Sequence, residues 1–572
     1  MRRSARFVLP LLFVALVGCA PAGPGGSSGR GTGEGSAPAA RKSLVLAQLN
    51  ATKMYGPWDF SNTSGGGSAL IELHTIALKT SGPSGGIETR IAARMPSFDD
   101  GSIVILPDGR MQVTWKLRED VKWHDGAPLT AEDAVFSWQL ATRPDLMSSR
   151  RDYVTLLQNM EALDRSTVLM TWPNTFAKAL DLGADKFWIY PKHILGEPFA
   201  TMEGDAFMAQ PFFTTNYIGN GPYKVVDWGL GETQVLEAFD GYFLGKPKID
   251  RITIRTIGDV NTLLVNLESR ALDMTSEKTL PTDLFLRLHD QWNKSGAGVV
   301  QSRQENWRYI WFQFHPEYAR PIEMSQDVRI RRGLLFGMDR DGLRELLLPG
   351  IDYTSGDTFM PQSDPRALTV GTPFARYTND PRRALQELED AGWRRGSDGK
   401  LQNAAGQQVQ IELRGNEPDE KELAFVAAGW RQLGIDVTEY IPPSALARDN
   451  EFKSKFPGLE TRARSTGDEI FVSFDGRLGS SPQNRWQGAN TGHYANPAMD
   501  RLIDKLESTI DEREQGLVLR DMGETLATDL PALPAYFRSI FAAVGKGVRA
   551  LDDFAFGQTG TLARQAHLWD RD

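Results

Sequence analysis

Alternating apolar and polar positions predict strands in several parts of the chain. In the segment "MQVTWKL", Val113, Trp115 and Leu117 alternate with polar residues, which is the period of a half-buried strand. The run "SLVLAQL" at 43–49 is more continuously apolar and predicts a buried strand. The same kinds of pattern predict further strands around residues 222–228, 233–239, 250–257 and 307–314.

Helix boundaries are marked by capping residues. Thr130 and Asp133 have the spacing of a capping box before an apolar stretch. In "NDPRRALQELEDAGW", Asp380 is placed as N-cap, Pro381 as the first helical residue and Gly392 as the residue after the end. Asp259 and Asp327 likewise precede amphipathic stretches. These signals predict helices that alternate with the strands.

The segment "QVQIELRGNEPDEKELAFVAAGWRQLGIDVTEY" is read as one strand–helix–strand unit. Gly434 follows the helical pattern, so the chain turns there into a second strand. Strands joined through a helix in this way are parallel neighbours. Together with the earlier strand patterns, this unit predicts an α/β protein with at least two α/β regions.

The N-terminus has the layout of a secretory signal. Three arginines precede the apolar run 7–17, which is shorter than the roughly 20 residues that a membrane-spanning helix needs. The following "LVGC" resembles the bacterial lipobox, and Cys19 is the single cysteine of 572 residues. We expect residues 1–18 to be removed and the new N-terminal Cys19 to be acylated. Durable anchoring requires more than one acyl chain, so multiple acylation is expected. The alternative is a plain secretory signal that happens to contain a cysteine.

Residues 19–42 are rich in glycine, proline, serine and alanine, a composition typical of a flexible tether. Removing residues 1–18 takes away three arginines, so the formal net charge changes from −9 to −12. The remaining basic residues are scattered, which argues against nucleic acid as a partner.

No pattern of catalytic or metal-binding residues emerges. The seven histidines are dispersed, and the sequence lacks H-E-x-x-H, a Walker A loop and Cys/His metal spacing. The sequence therefore predicts no catalytic residue, no metal and no cofactor.

Several blocks, taken in order, resemble the extracellular solute-binding proteins of family 5, the oligopeptide-, dipeptide- and nickel-type receptors of bacterial ABC importers. The blocks are "WKLREDVKWHDGAPLTAEDAVFSW", "GNGPYKVVDW…LEAFDGYFLGKPKIDRITIR", "DVRIRRGLLFGMDRDGL", "DPRRALQELEDAGW", "GHYANPAMDRLID" and "DLPALPAYF". They extend over roughly residues 44–540, nearly the whole mature chain.

This resemblance implies a two-lobed, periplasmic-binding-protein-like fold (type II, cluster C) with an extra subdomain on the N-terminal lobe. We expect an N-terminal lobe at 43–305, a C-terminal lobe at 306–530 and a return to the first lobe at 531–572. The lobes should be joined by crossings near 300–310 and 525–535. The resemblance also implies ligand capture by hinge closure, a monomeric receptor, ABC permease and ATPase subunits as partners, and an extracytoplasmic location with a lipid anchor as the only membrane attachment.

Loops after strands and the family resemblance give the predicted ligand-binding residues. Trp58 follows the first strand, and Arg414 and Asn416 open the helix of the strand–helix–strand unit. Asp475 is a possible counterpart of the aspartate that peptide-binding members place against the ligand's amino terminus, although no tryptophan precedes it at the family's spacing. The complete predicted set is Trp58, Trp311, Arg414, Asn416, Arg462, Asp475, Trp486 and Asn490.

The sequence does not decide the identity of the ligand. Arg462 and Arg464 suit a carboxylate, or form a solvated strand edge, and Trp486 with Asn490 suits either a peptide backbone or a sugar ring. The expected function is capture of peptides or a similar oligomeric solute. Oligosaccharide binding in the same fold is one alternative, and a secreted lipoprotein hydrolase or a structural or signalling lipoprotein are others.

Overall fold

The computed structural model describes residues 41–52, 55, 67–81, 87–146, 156–181, 187–229, 232–351, 356–362, 364–416, 419–447, 449–550 and 562–572. Cys19 and Trp58 lie outside these residues. The strands are β1 Ser43–Gln48, β2 Lys79–Ser81, β3 Ile87–Thr89, β4 Ile103–Ile105, β5 Met111–Lys116, β6 Asn159–Asp164, β7 Thr167–Trp172, β8 Tyr223–Gly229, β9 Thr233–Ala238, β10 Arg251–Thr256, β11 Met274–Thr275, β12 Gly298–Phe312, β13 Arg394–Arg395, β14 Leu401–Gln402, β15 Gln410–Arg414, β16 Asp436–Tyr440, β17 Leu459–Ser465, β18 Ala532–Gly545, β19 Val548–Arg549 and β20 Asp570–Arg571.

The helices lie between these strands. They are α1 Ala131–Thr142, α2 Lys192–Thr201, α3 Gly204–Met208, α4 Val260–Glu268, α5 Thr282–Ser295, α6 Glu323–Gln326, α7 Val328–Phe336, α8 Arg340–Leu347, α9 Ala367–Val370, α10 Pro381–Asp390, α11 Glu420–Gln432, α12 Ser444–Ala447, α13 Asn450–Ser454, α14 Pro497–Ser508 and α15 Glu512–Asp529. Within the described part of the chain, no helix combines the length and the hydropathy that a membrane span requires.

The local sequence signals are confirmed. At the capping box of α1, the Thr130 amide donates to the Asp133 carboxylate at 2.8 Å. Asp380 caps α10, with Pro381 as the first helical residue. β15, α11 and β16 form the predicted parallel strand–helix–strand unit, and Gly434 has a φ of +95° at the turn between α11 and β16, where only glycine is unstrained.

Ten of the described strands form one mixed sheet in the order β16-β15-β17-β12-β18-β11-β1-β10-β9-β8. One half, β8 to β11 with β1, comes from the first 275 residues, whereas β15, β16 and β17 come from residues 410–465. The two halves meet at the antiparallel pair of β12 and β18. The sheet therefore has two α/β halves that share two long central strands.

β12 and β18 are the longest strands, at 15 and 14 residues. β11 pairs with β18 at Val544 and Ala543, near one end of the pair. β17 pairs with β12 at residues 306–312, near the other end. Each long strand therefore runs from one half of the sheet into the other, and β12 crosses within the expected 300–310.

The return strand, β18, begins at Ala532, within the expected 525–535. Residues 525–529 still belong to α15, and residues 532–537 of β18 pair with the part of β12 that contacts β17. The chain leaves that half of the sheet only near Arg538. β18 is thus the return crossing, and the change from one half of the sheet to the other occurs within the strand itself.

A second sheet, β4-β5-β7-β6, lies apart from the ten-stranded one. It has its own core, in which Trp115, Trp123 and Trp172 are almost completely buried. α1 contacts both β6 and β7. This separate core forms the extra subdomain of the N-terminal half.

Candidate functional site

The directions of the strands define a cleft. β1, β10 and β11 run parallel to one another, and β15 runs parallel to β17. β11 is antiparallel to β18, whereas β17 is antiparallel to β12. The carboxyl ends of the strands in the two halves therefore point toward each other along the central pair. In open α/β sheets, ligands bind outside the carboxyl ends of the strands.

The register gives the size of this gap. β11 ends at the level of Val300 on β12, and β17 ends at the level of Asn306. These two levels are six residues apart on β12, or about 20 Å of strand. We call this gap, with residues 301–305 and 539–542 as its floor, the cleft.

Two ion pairs, one of them buried, hold the floor of the cleft. The guanidinium of Arg303 lies 3.1 Å from the Glu277 carboxylate, and both side chains are about nine-tenths buried. Lys278 forms an ion pair with Glu305, whose carbonyl accepts a hydrogen bond from the amide of Thr466 at 3.1 Å. The loop after β11 and the loop after β17 are thus both bonded to the same stretch of β12.

A carboxylate network lies beside the cleft, where the loop after β15 enters α11. The carboxylate of Asp419 accepts a hydrogen bond from the backbone N–H of Asn416 at 3.1 Å. The same carboxylate also lies 3.0 Å from the guanidinium of Arg308 and 3.2 Å from that of Arg538. Glu422 is 2.6 Å from Arg308. The network therefore joins both central strands to the N-terminal end of α11.

Burial dominates the electrostatics of this network. Burial raises the pKa of Glu422, and the guanidinium of Arg308 opposes that shift. Tyr536 donates its hydroxyl to Glu422 at 3.1 Å. A buried charge that loses its partner is strongly destabilising. Arg308 therefore stabilises the buried carboxylates of Asp419 and Glu422 by compensating their charge.

A pocket of about 200 Å³ lies on the face of β17 in the C-terminal half. We call it the basic pocket. Arg464 is one residue from the carboxyl end of β17, so the pocket begins close to the cleft. Its lining consists of Asn450, Lys453, Arg462, Arg464, Trp486, Gln487, Gly488 and Thr491.

Alternation along β17 places two arginines in this pocket. Arg462 and Arg464 lie opposite Tyr309 and Trp307 of β12, on the same face of the sheet. Arg462 pairs with Glu460 at 2.6 Å, and Arg464 donates to the Ser473 hydroxyl at 3.1 Å. The structure thus brings together the predicted residues Arg462 and Trp486.

Arg414 and Asn416 flank the carboxyl end of β15, as predicted. Arg414 is buried, and its guanidinium contacts the Glu412 carboxylate at 3.0 Å and lies 4.3 Å from the centre of the Phe452 ring. Asn416 is exposed. Of these two, Asn416 presents its side chain to solvent beside the cleft, whereas Arg414 is engaged inside the lobe.

Three other predicted residues make contacts within the protein that stabilise its own fold. Trp311 is 1% exposed within the core. Asn490 is fully buried, and its amide donates to the carbonyls of Asp475 and Tyr494 at 3.0 and 2.7 Å. Asp475 caps a short 3₁₀ helix and pairs with Arg477, which lowers the pKa of the aspartate. A binding role for these three stays a prediction without support from their contacts.

Lys453, Asp419 and Arg538 were not among the predicted site residues. Asp419 lies three residues after Asn416, so its position at the start of a helix after a strand was a usable signal. Lys453 lies on the five-residue helix α13, six residues before β17 begins, and no local sequence signal marks it as a site residue. Among the described residues, no group of three or more His, Cys, Asp or Glu side chains is arranged to hold a metal ion.

Known proteins with similar sequences and folds agree with this architecture. The oligopeptide-binding protein AppA of Bacillus subtilis is 26% identical over 444 residues, which are 75% of this chain and 76% of AppA. The solved structure of AppA with a nonapeptide superimposes with a TM-score of 0.65 at 20% identity, over 93% of this chain and 99% of AppA. The structure of NikZ from Campylobacter jejuni with Ni(L-His) gives a TM-score of 0.65 at 19% identity, over 92% and 99% of the two chains.

These structural neighbours have the two-lobed fold of the periplasmic binding proteins, which confirms the predicted fold class. The family model described as "Bacterial extracellular solute-binding proteins, family 5 Middle" matches residues 105–463, more than half of the chain. The chain therefore belongs to the family 5 bacterial extracellular solute-binding proteins.

Proposed function

We propose that this protein is the receptor of an ABC importer and captures peptides or a peptide-like oligomeric solute in the cleft. The observation that carries the proposal is the opposition of strand carboxyl ends across the two long central strands. Ligand groups bound at both ends would favour a closed arrangement of the lobes. Hinge closure around a ligand is the motion that such two-lobed receptors use.

A peptide is favoured over a sugar by length and charge. The cleft is about 20 Å long, enough for several extended residues at ~3.4 Å each. The basic pocket offers guanidinium groups, which bind carboxylates with two parallel hydrogen bonds. Relatives such as AppA are named for oligopeptide binding. Because Trp486 lies on the pocket wall and an aromatic face can also stack on a sugar, a sugar ring is the alternative occupant.

We further propose that the lobes comprise residues 43–305 and 306–530, and that residues 531–572, which begin with the crossing strand β18, carry the chain back to the first lobe. In the mature protein Cys19 would carry the lipid anchor, residues 19–42 would be the tether, and a monomeric receptor would deliver its ligand to an ABC permease and ATPase. The support for the anchor is the apolar run 7–17 followed by the lipobox-like "LVGC".

The test is a thermal-shift panel of peptides, oligosaccharides and divalent metals, with mass spectrometry of the added compounds. A ligand at 100 times its dissociation constant should stabilise the fold by about 2.7 kcal/mol, and it should be recovered intact. Sustained release of cleaved product would refute the receptor function, and stabilisation by sugars alone would refute the peptide assignment.

A pair of matched variants locates the binding site. Asn416→Ala removes an exposed amide beside the cleft, and Asn293→Ala removes an exposed amide on α5. We expect the first variant to reduce the stabilisation by ligand and the second to leave it unchanged. Equal stabilisation of both variants would place the ligand away from the loop after β15.

A further inference from the structure

The basic pocket contains more positive charge than its own carboxylates neutralise. Lys453, Arg462 and Arg464 line it, and no acidic side chain is among the lining residues that the structure describes. Arg462 is neutralised by Glu460, at 2.6 Å. Among the described residues, no carboxylate forms an ion pair with the other two cations, Lys453 and Arg464.

Within the part of the chain that the structure describes, the hydrogen bonds of these two side chains go to neutral groups. Arg464 donates to the hydroxyl of Ser473 at 3.1 Å and to the carbonyl of Ala489 at 3.5 Å. Lys453 donates to the side-chain oxygen of Asn450 at 3.3 Å.

The charges are close enough to affect one another. Burial lowers the pKa of Lys453, and the neighbouring Arg462 and Arg464 lower it further, against the opposing effects of Glu460 and Asp449. Like charges held together in a partly buried site raise the free energy of the empty pocket. An anion that enters the pocket relieves this repulsion as well as forming its own contacts.

We infer that the basic pocket binds an end of the ligand that carries two negative charges, and that for a peptide this end is a C-terminal Asp or Glu. This inference rests on the proposed function and names its substrate class. The two carboxylates of such a residue match the two cations without an acidic partner. The cavity of about 200 Å³ is many times the ~10–15 Å³ that holds one water.

The placement of the cations favours two carboxylates over one compact dianion. Arg464 lies on β17, whereas Lys453 lies on α13 on another wall of the pocket. Two carboxylates on one residue reach separate partners, while a phosphate monoester concentrates both charges on a single group. Trp486 supplies an apolar wall for the stem of the acidic side chain.

The test uses three equimolar peptide libraries of two to nine residues, identical except for a C-terminal Glu, Gln or phosphoserine. The lipid-free protein carrying Cys19→Ser is incubated with the mixture, and the retained peptides are quantified by mass spectrometry. We expect Glu-terminated peptides to be retained at least tenfold more than Gln-terminated ones, and more than phosphoserine-terminated ones.

The variants Lys453→Gln and Arg464→Gln should each reduce this Glu/Gln preference severalfold while Gln-terminated peptides are still retained. Lys453 is partly exposed, so its variant tests the inference even if Arg464→Gln fails to fold. Arg513→Gln, on the exposed surface of α15, should keep the wild-type preference.

Three results would overturn the inference. Equal retention of Glu and Gln peptides would refute the charge preference and leave the receptor function intact. A preference for phosphoserine peptides would show that the pocket recognises a single phosphoryl group instead of two carboxylates. Retention of no peptide at all would refute the proposed peptide receptor together with the inference.

Discussion

The buried imidazole of His124 should make the stability of the protein depend on pH. The residue is 4% exposed. Its Nε2 donates to the carbonyl of Gly221 at 3.0 Å, because its Nδ1 is the acceptor for the Gly219 amide at 3.1 Å. Protonation of Nδ1 would bring an N–H group against the amide of Gly219. Burial lowers the pKa of His124 to about 4.

The sign and the magnitude follow from this pKa. Between about pH 4 and the ordinary histidine value of ~6.5, the unfolded chain binds a proton that the folded chain does not bind. The free energy of unfolding therefore falls as the pH falls through this window. Between pH 7 and pH 5 the loss from His124 is about 2 kcal/mol. His74, whose pKa is lowered to about 3 by burial, adds to the loss in the same direction.

The assay is urea unfolding at pH 7 and pH 5 for the wild type, for His124→Gln and for His289→Gln. His289 lies on α5, with its ring beside Asn293, and serves as the matched control. We expect His124→Gln to lower stability at pH 7 but to lose about 2 kcal/mol less than the wild type between the two pH values. An unchanged pH dependence in His124→Gln would refute the reasoning, as would a reduced one in His289→Gln.

Three further variants test the fold and the anchor. Glu422→Ala should destabilise the protein by about 3–5 kcal/mol, because Arg308 would keep a buried charge with one partner fewer; an unfolding midpoint equal to that of the wild type would contradict the buried network. Gly219→Ala should lower the thermal midpoint by several degrees, since an added Cβ would overlap the carbonyl of His74; an unchanged midpoint would show that the backbone yields there at little cost. Cys19→Ser should abolish incorporation of labelled fatty acid in the producing cells, and labelling that persists would rule out Cys19 as the attachment site.

The local architecture was readable from the sequence, since it depends on neighbouring residues. The capping box at Thr130 and the cap at Asp380 each require contacts over only a few positions, and both occur as expected. The parallel unit of β15, α11 and β16 was readable for the same reason. The pairing of β12 with both β17 and β18 was not readable from the sequence, because it joins residues at least 147 positions apart.

Polar residues were the least reliable guide to the site. Asn490 and Asp475 belong to residue types that bind ligands, yet the same hydrogen-bonding groups hold their own loop together. The sequence pattern of the two uses is identical. Arg462 and Trp486, two of the predicted residues, line the same pocket, and Lys453 joins them from a short helix whose position the tertiary structure determines.

The most direct measurement of the central claim is the distance between the two lobes with and without ligand. Because Cys19 is the single cysteine, a Cys19→Ser background allows spin labels at Val265→Cys and Leu368→Cys. These positions are 59% and 98% exposed, on α4 and α9 of the two halves. Pulsed electron-spin resonance should show the distance distribution shift and narrow when a ligand from the thermal-shift panel binds, and return when the ligand is removed. A distribution unchanged by a saturating, stabilising ligand would contradict capture by closure of the cleft.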